Sequence, residues 1–373
     1  MDVLLCLPPA RTSHELDLFR AMPGTRLRVA SAGDGTGAGD LALPVRRVPL
    51  VGGAEGWTAA PAWLRGLRSL DPGRVDVVAS LELLSFGSWQ AGDLARRLGV
   101  PHAVTVFENM AANPLYRLPP WRQITRRVVA SADLFVCFSQ MARDHAMELG
   151  CPQHRCVVVH PGVDTETFRP RPGGRPPQPI VLFVGMLRAD RGADKGVVQI
   201  VEACRRLARE IEGLRLVLVG DGHLRAALSA QAERLDFLDV VAPRPRHEIP
   251  ALMADARVLV LASRRTFKWQ EQFGFVLVEA MASGLPVVAT RSGAIPEVVP
   301  GWNPLAGEGD VDGLAEGIRR ALGPEGDDWG RRNRSHAQER FELRRQGQLL
   351  AEALGRAVQD GCRASLNGRS RTA

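Results

Sequence analysis

Short apolar, β-branched runs alternate with amphipathic stretches of helical spacing along this chain of 373 residues, and the whole alternation occurs twice. In the first half DVLLCLP, RLRVASA, VDVVASL, HAVTVF, LFVCFS and CVVVHPG read as strands, while GSWQAGDLARRLG and PPWRQITRRVVASA carry helical periodicity. In the second half PIVLFVG, LRLVLVGDG, LDVVAP, ARVLVLAS and LPVVAT read as strands. Between them lie KGVVQIVEACRRLAREI, LRAALSAQAERL, HEIPALMADA and GFVLVEAMASG. Strand and helix alternating in this way argue for two doubly wound parallel α/β domains, each Rossmann-like. The seam is RPRPGGRPPQP, residues 169–179, too dense in proline and glycine for a helix or a central strand. The predicted organisation is an N-terminal domain over 1–168, a linker over 169–179, a C-terminal domain over 180–335, a charged helix over 336–362 and a disordered tail over 363–373.

Composition removes several classes of function. Hydrophobic residues make up 45% of the chain and charged residues 24%, and no apolar run approaches the roughly 20 residues of a membrane span. The first strand-like run starts at the second residue with no basic leader before it, so a cytoplasmic protein is expected. Cys6, Cys137, Cys151, Cys156, Cys204 and Cys362 form no CxxC pair and show no zinc-ligand spacing, so they read as buried or incidental thiols. A net charge of +7 admits a nucleic acid, an anionic membrane surface or a phosphate-bearing ligand. Basic residues interleaved with aromatics, the mark of a nucleic-acid binder, are missing. Only Lys195 and Lys268 among the 48 basic residues are lysines, so the arginine excess reads as genome composition.

The stretch FKWQEQFGFVLVEAMASGLPVVAT, residues 267–290, places Glu271 just before a helix and Glu279 inside it. That helix is predicted to begin near Gly274 and end at Gly284, so the backbone N–H groups of residues 274–276 face outward at a start that attracts phosphate. Eight helical residues rise roughly 12 Å; with the first few in a loop, the two carboxylates can flank a phosphate and accept from hydroxyl pairs on either side. A diphosphate between a sugar and a ribose fits. The same glutamates read equally as solvated charges near a helix dipole. VLFVGMLRADRGADKG adds a glycine turn at Gly185 and a loop carrying Arg188, Arg191 and Lys195 into a helix, at the strand exit where such sheets bind ligands. LVLVGDGHL repeats the arrangement, with Gly220 and Gly222 permitting close backbone approach of a nucleotide, and RSGAIPEVV gives a third glycine turn at Gly293. An ordinary solvated loop and ordinary strand-to-helix turns would look the same.

Taken in order, VGMLRADRGADKG, VLVGDG, HEIPALMADARVLVLAS, EQFGFVLVEAMASGLPVVAT and SGAIPEVV resemble the nucleotide-binding domain of the retaining glycosyltransferases of family 4, which have the GT-B fold of two facing Rossmann-like domains. The family's link segment, P-G-V-D-x-x-x-F, stands as PGVDTETF at 161–168. The resemblance implies transfer of a hexose or amino sugar from a UDP- or GDP-sugar, used as co-substrate without cofactor or metal, to a glycan, lipid-linked or small-molecule hydroxyl. It implies Glu271 on donor-sugar hydroxyls, Glu279 on the ribose, Lys195 on the diphosphate, and backbone groups of Gly274, Phe275 and Val276 around sugar and phosphate. The family's arginine after the first glycine is replaced by Met186, with Arg188 or Arg191 as substitutes. The resemblance also implies that the C-terminal helix crosses back to the first domain.

The first half departs from the family pattern. CLPPARTSHELDLF and VVASLELLSFGSW replace its glycine-rich loop and histidine, so the acceptor-side candidates are His14, Glu82, Glu108 and Asn109, the last two ending TVFEN. Solvated or capping polar residues at strand exits are the plain alternative, and Tyr116, the only tyrosine, reads as core. Arg117, Arg122, Arg126 and Arg127 surround a first-domain helix whose basic face can rest on the inner face of an anionic membrane, or equally be only solvated. A catalytically inactive sugar-nucleotide-binding partner protein is the second reading.

Overall fold

A computed structural model describes residues 1–7, 13–31, 45–47, 50–51, 63–64, 66–110, 113–190 and 192–369. They divide into two units, residues 1–162 with the segment from Leu343 onward, and residues 163–342.

Unit 1 contains β1 (Asp2–Leu7), α1 (Ser13–Arg20), β2 (Arg26–Ser31), β3 (Val45–Arg47), β4 (Leu50–Val51), β5 (Trp63–Leu64), β6 (Val77–Leu81), α2 (Phe86–Leu98), β7 (His102–Val106), α3 (Trp121–Ser131), β8 (Leu134–Cys137), α4 (Gln140–Glu148) and β9 (Cys156–Val158). Its sheet runs β3-β2-β1-β6-β7-β8-β9, parallel throughout, with β4 and β5 as a separate antiparallel pair. The central strands are buried along their whole length, as a sheet covered on both faces requires. Local signals set the helix limits. Ser85 Oγ accepts from Ser88 N at the start of α2, and Gly99 closes that helix in the left-handed region at φ 68°.

Unit 2 contains β10 (Ile180–Val184), α5 (Val197–Leu207), β11 (Arg215–Val219), α6 (Arg225–Ala232), β12 (Leu238–Val241), α7 (Ile249–Asp255), β13 (Val258–Leu261), α8 (Phe275–Ala282), β14 (Val287–Thr290), α9 (Ile295–Val298), β15 (Leu305–Ala306), α10 (Val311–Leu322) and α11 (Pro324–Phe341). Its parallel sheet runs β12-β11-β10-β13-β14-β15. The chain moves outward in one direction from β10, then returns to start again at β13. That reversal opens a crevice at the carboxyl ends of β10 and β13, where doubly wound sheets take their ligands.

The C-terminal helical region differs from expectation. A single helix over 336–362 was expected, but Glu342 adopts an extended conformation (φ −59°, ψ 127°) that ends α11. Val163 N donates to Phe341 O at 2.7 Å there, and α12 (Leu343–Arg369) begins afresh in unit 1. The break falls between the units, and the 169–179 segment groups with unit 2. The backbone is helical to Arg369, beyond the expected limit of 362. Gly347 lets α12 lie close to the end of α1, because a Cβ there would stand 2.5 Å from the Ala21 carbonyl. No helix among the described residues is long and apolar enough to cross a membrane.

Asn333 fastens α11 to the sheet. Fully buried, it donates to Leu285 O (2.8 Å) and Asn303 Oδ1 (2.9 Å), and accepts from Trp302 Nε1 (2.9 Å) and Asn303 Nδ2 (2.8 Å). Asn333→Ala leaves several of these groups without a partner and is expected to lower stability by about 2–4 kcal/mol. Urea unfolding of the variant should show the loss; a change below about 0.5 kcal/mol would mean that water replaces the amide freely.

Candidate functional site

Two loops leave the crevice of unit 2, one after β10 and one after β13, and each contributes one partner to a buried ion pair. Lys195 Nζ lies 2.7 Å from Glu271 Oε2, with the two side chains only 14% and 7% exposed. Ser263 Oγ donates to the same carboxylate oxygen at 2.6 Å, and the Trp269 ring lies 4.7 Å from Nζ. A buried ion pair is sustained by further hydrogen bonds of this kind.

Backbone packing fixes the loops. Asp194 accepts from Gly196 N at 2.9 Å, its carbonyl accepts from Arg264 N at 2.9 Å, and its carboxylate lies 3.4 Å from the Arg264 guanidinium. Gly196 and Gly293 both have positive φ, 68° and 53°. A Cβ at Gly196 would stand 1.9 Å from Ala262 O, and one at Gly293 1.9 Å from Glu271 O. Ala294 N donates to that Glu271 carbonyl at 3.0 Å. The third glycine turn of the sequence thus seats the glutamate.

α8 starts at Gly274, held at φ 82° with no side-chain cap. Leu277 N turns back to Gly274 O at 2.9 Å, and Phe275 and Val276 are partly buried in the first turn. Glu279 is buried on this otherwise apolar helix, with the Arg246 guanidinium 3.4 Å from its carboxylate. Glu271 and Lys195 are thus in direct contact, while Glu279 lies on the helix that Gly274 opens and has Arg246 as its partner.

Other expected residues fare differently. Arg188 is engaged by Asp190, through Nε at 3.0 Å and Nη2 at 2.8 Å. That contact, followed by the Gly192 and Ala193 amides, holds the Asp190 carboxyl below the usual range. His223 Nδ1 lies 3.4 Å from the same carboxylate. Arg188, Asp190, Gly222 and His223 line an open cavity of about 390 Å³. Arg191 lies outside the described residues. Gly185 donates its amide to Val219 O at 3.0 Å. Gly220 and Gly222 are required by packing within the protein: Cβ atoms there would stand 1.8 Å from Gly185 O and 2.3 Å from Leu187 O. The protein's own β10 loop occupies that space.

In unit 1, Glu82 is the only non-glycine residue with positive φ (70°) among the described residues. Such a backbone carries strain of order 1–3 kcal/mol and is a frequent mark of functional positions. Its carboxylate accepts from Phe107 N at 3.2 Å, and Glu108 accepts from Asn109 N (3.1 Å) and Met110 N (2.9 Å). Burial, then Glu108 and Glu82, push the Tyr116 hydroxyl up, so the two carboxylates share that tyrosine's surroundings. Tyr116 is buried with its ring 5.1 Å from His145, and Asn109 is buried. His14 lies on α1, but its side chain lies outside the described part of the structure.

Sequence reasoning missed Ser263, Trp269 and Arg246. Ser263 sits at the exit of a strand, which is a usable signal; the two others reach charged partners far away in sequence. A cavity of about 550 Å³ on the amino-end side of the unit 2 sheet is lined by Arg175, Arg257 and Arg334, among others. These three arginines donate to backbone carbonyls, including Ala321 O, Leu322 O and Ala282 O. They act as staples of helix ends, remote in the fold from the Lys195–Glu271 pair. No group of three or more metal-binding side chains occurs among the described residues.

Residues 178–323 match the family model "Glycosyl transferases group 1", and residues 10–162 match "Glycosyl transferase 4-like domain". The chain is 27% identical to the GDP-mannose-dependent alpha-(1-6)-phosphatidylinositol dimannoside mannosyltransferase of Mycobacterium tuberculosis, over 97% of this chain and 90% of that relative. It is 30% identical to the D-inositol 3-phosphate glycosyltransferase of Mycobacterium marinum over 78% of this chain and 62% of that one. It spans about half of WcaL of Escherichia coli K12, which carries the name of a colanic acid biosynthesis glycosyltransferase, with 32% identity over 58% of this chain and 52% of that protein. Among solved structures, Anabaena HepE in complex with UDP matches with a TM-score of 0.76 at 20% identity, covering 95% of this chain and 100% of that one. A glycosyltransferase from Rickettsia africae matches at 0.72 and 15% identity, covering 96% and 98%.

Gly293 and Gly213 make a matched test of how Glu271 is seated. Both have positive φ, but Gly213 has nothing within 4 Å of its Cβ position. Gly213→Ala should cost about 1 kcal/mol from backbone conformation alone. Gly293→Ala should cost about 2 kcal/mol more, because Glu271 must move. Thermal or urea unfolding of both variants gives the comparison; equal losses would show that the turn yields without strain.

Proposed function

Because the chain belongs to glycosyltransferase family 4 and has the GT-B fold, we propose that it moves a sugar from a nucleotide diphosphate sugar to an acceptor hydroxyl with retention at the anomeric carbon. The observation that carries this reading is the Lys195–Glu271 pair at the crevice of unit 2, beside the uncapped start of α8.

In this reading the bond from the anomeric carbon to the β-phosphate oxygen breaks and a bond from that carbon to the acceptor oxygen forms on the same face. The acceptor's proton passes to the leaving phosphate oxygen, so no separate base is needed. The protein's task is to stabilise charge developing on that phosphate, which Lys195 and the N-terminus of α8 supply. Glu271 takes donor-sugar hydroxyls, and Glu279 takes the ribose. Arg188 supplies positive charge to the diphosphate only by leaving Asp190. No metal is required for this division of labour, so turnover in EDTA should equal turnover with Mg²⁺.

The donor is a UDP- or GDP-sugar: one relative is named for GDP-mannose and one structural neighbour holds UDP. Acceptors fitting the reading are glycan, lipid-linked or small-molecule hydroxyls, with Glu82, Glu108 and Asn109 on the acceptor side. Met186 in place of the family arginine favours the second reading, an inactive sugar-nucleotide-binding partner protein. Screening purified protein against a panel of nucleotide sugars, reading hydrolysis and thermal stabilisation, decides between them. Stabilisation without turnover supports the inactive partner, and neither response would reject both.

We infer a cytoplasmic protein that can rest on the inner face of a membrane, and the exposed basic residues of unit 1 support the second part of that reading. Arg117, Leu118, Arg122 and Arg126 are exposed around the start of α3, while Arg127 lies 4.5 Å over the Trp89 ring and is partly spent on packing.

Two outcomes are expected from these assignments. Glu271→Ala should lower donor turnover at least tenfold while changing UDP or GDP affinity little, and Glu279→Ala should weaken nucleotide binding about tenfold, a loss of order 1–3 kcal/mol. Calorimetric titration with each nucleotide checks this, and unaltered affinity in Glu279→Ala would remove the ribose assignment. Binding to phosphatidylserine-containing vesicles should fall steeply with salt and by about 1 kcal/mol for each of Arg117, Arg122 and Arg126 replaced. Absence of vesicle binding at low salt would leave genome composition as the source of the charge.

A further inference from the structure

Trp269 stands in a part of the β13–α8 loop that closes on Thr266. Thr266 N donates to Trp269 O at 2.7 Å, and Thr266 Oγ1 accepts from Lys268 N (3.2 Å) and Trp269 N (2.9 Å). Arg264 anchors the same loop to Asp194, next to Lys195. The result is an indole face 4.7 Å from the Lys195 ammonium on one side, with the Glu271 carboxylate 2.7 Å from that ammonium on another.

We propose that Trp269 is a positioning residue for Lys195, holding the ammonium at a fixed place from which it can exchange Glu271 for the diphosphate of a nucleotide. This inference rests on the donor reading above. An aromatic face attracts a cation without a directional hydrogen bond and without forming an ion pair, so it holds the ammonium through a change of anionic partner. A lysine tethered only by Glu271 would have to be released before it could serve a phosphate. A four-carbon stem free in solvent would also lose more rotamer entropy on each arrival of the ligand.

The test uses Trp269→Phe, Trp269→Leu, Lys195→Met and the double variant Lys195→Met/Trp269→Leu, each checked for an unfolding midpoint close to wild type. UDP and GDP are the probes, read by calorimetry and by tryptophan emission, and donor hydrolysis gives the turnover. Trp269→Leu should lose roughly 3- to 30-fold in kcat/KM for donor, with Trp269→Phe between it and wild type. In the Lys195→Met background the leucine should cost nothing further, since the tryptophan acts through that lysine. Addition of the bound nucleotide should change emission in wild type, with the change lost in Trp269→Phe. An equal loss with and without Lys195, or leucine matching phenylalanine, would overturn the inference. Failure of both nucleotides to bind wild type would instead count against the donor reading, and with it the inference built on it.

Discussion

Taking a carboxylate and an ammonium out of water costs several kcal/mol per ion, and the Lys195–Glu271 pair recovers that cost only if its geometry is held closely. Much of unit 2 around the crevice can be understood as meeting that demand. Ser263 takes part of the carboxylate, Asp194 ties the lysine's loop to Arg264, and two left-handed glycines let backbone pass within contact of Ala262 and Glu271. The sheet order supplies the rest. Because β10 and β13 are neighbours from which the chain departs in opposite directions, their loops separate and leave a place where two distant segments meet.

The longer strands of both sheets were legible because β-branched apolar runs bounded by glycine and proline have few other uses. The smallest elements were not: β3, β15 and the β4–β5 pair are two or three residues long, and so short a run carries no periodicity. The division between α11 and α12 escaped for another reason. Residues 324–369 are charged and helix-favouring almost throughout, and the break at Glu342 is made by tertiary pairing of Val163 with Phe341 and Glu342, which no local signal announces.

At the candidate site the sequence showed residue types but not their partners. Glu271 and Lys195 each stood out, one by its place before a helix and one as a rare lysine, yet that they form a pair is a fact of three dimensions. Arg188 looked available because a carboxylate two residues away cannot be recognised as its partner from order alone. Gly220 and Gly222 were recognised as positions of close approach, and the neighbouring loop is one thing that lies close to them. A glycine reports that something is near and is silent about what.

The passage of the chain through unit 1 has a consequence for biosynthesis. Residues 1–162 leave the ribosome before unit 2, but α12, which belongs to the same unit and packs on α1, is made after all of unit 2. Domains fold as units while synthesis proceeds at about 5–20 residues per second. Unit 2, contiguous in sequence, can close on itself while the earlier-made sheet still waits for its final helix. The order of completion is thus the reverse of the order of translation, and the interval between them is a time when the surface awaiting α12 is open to chaperones.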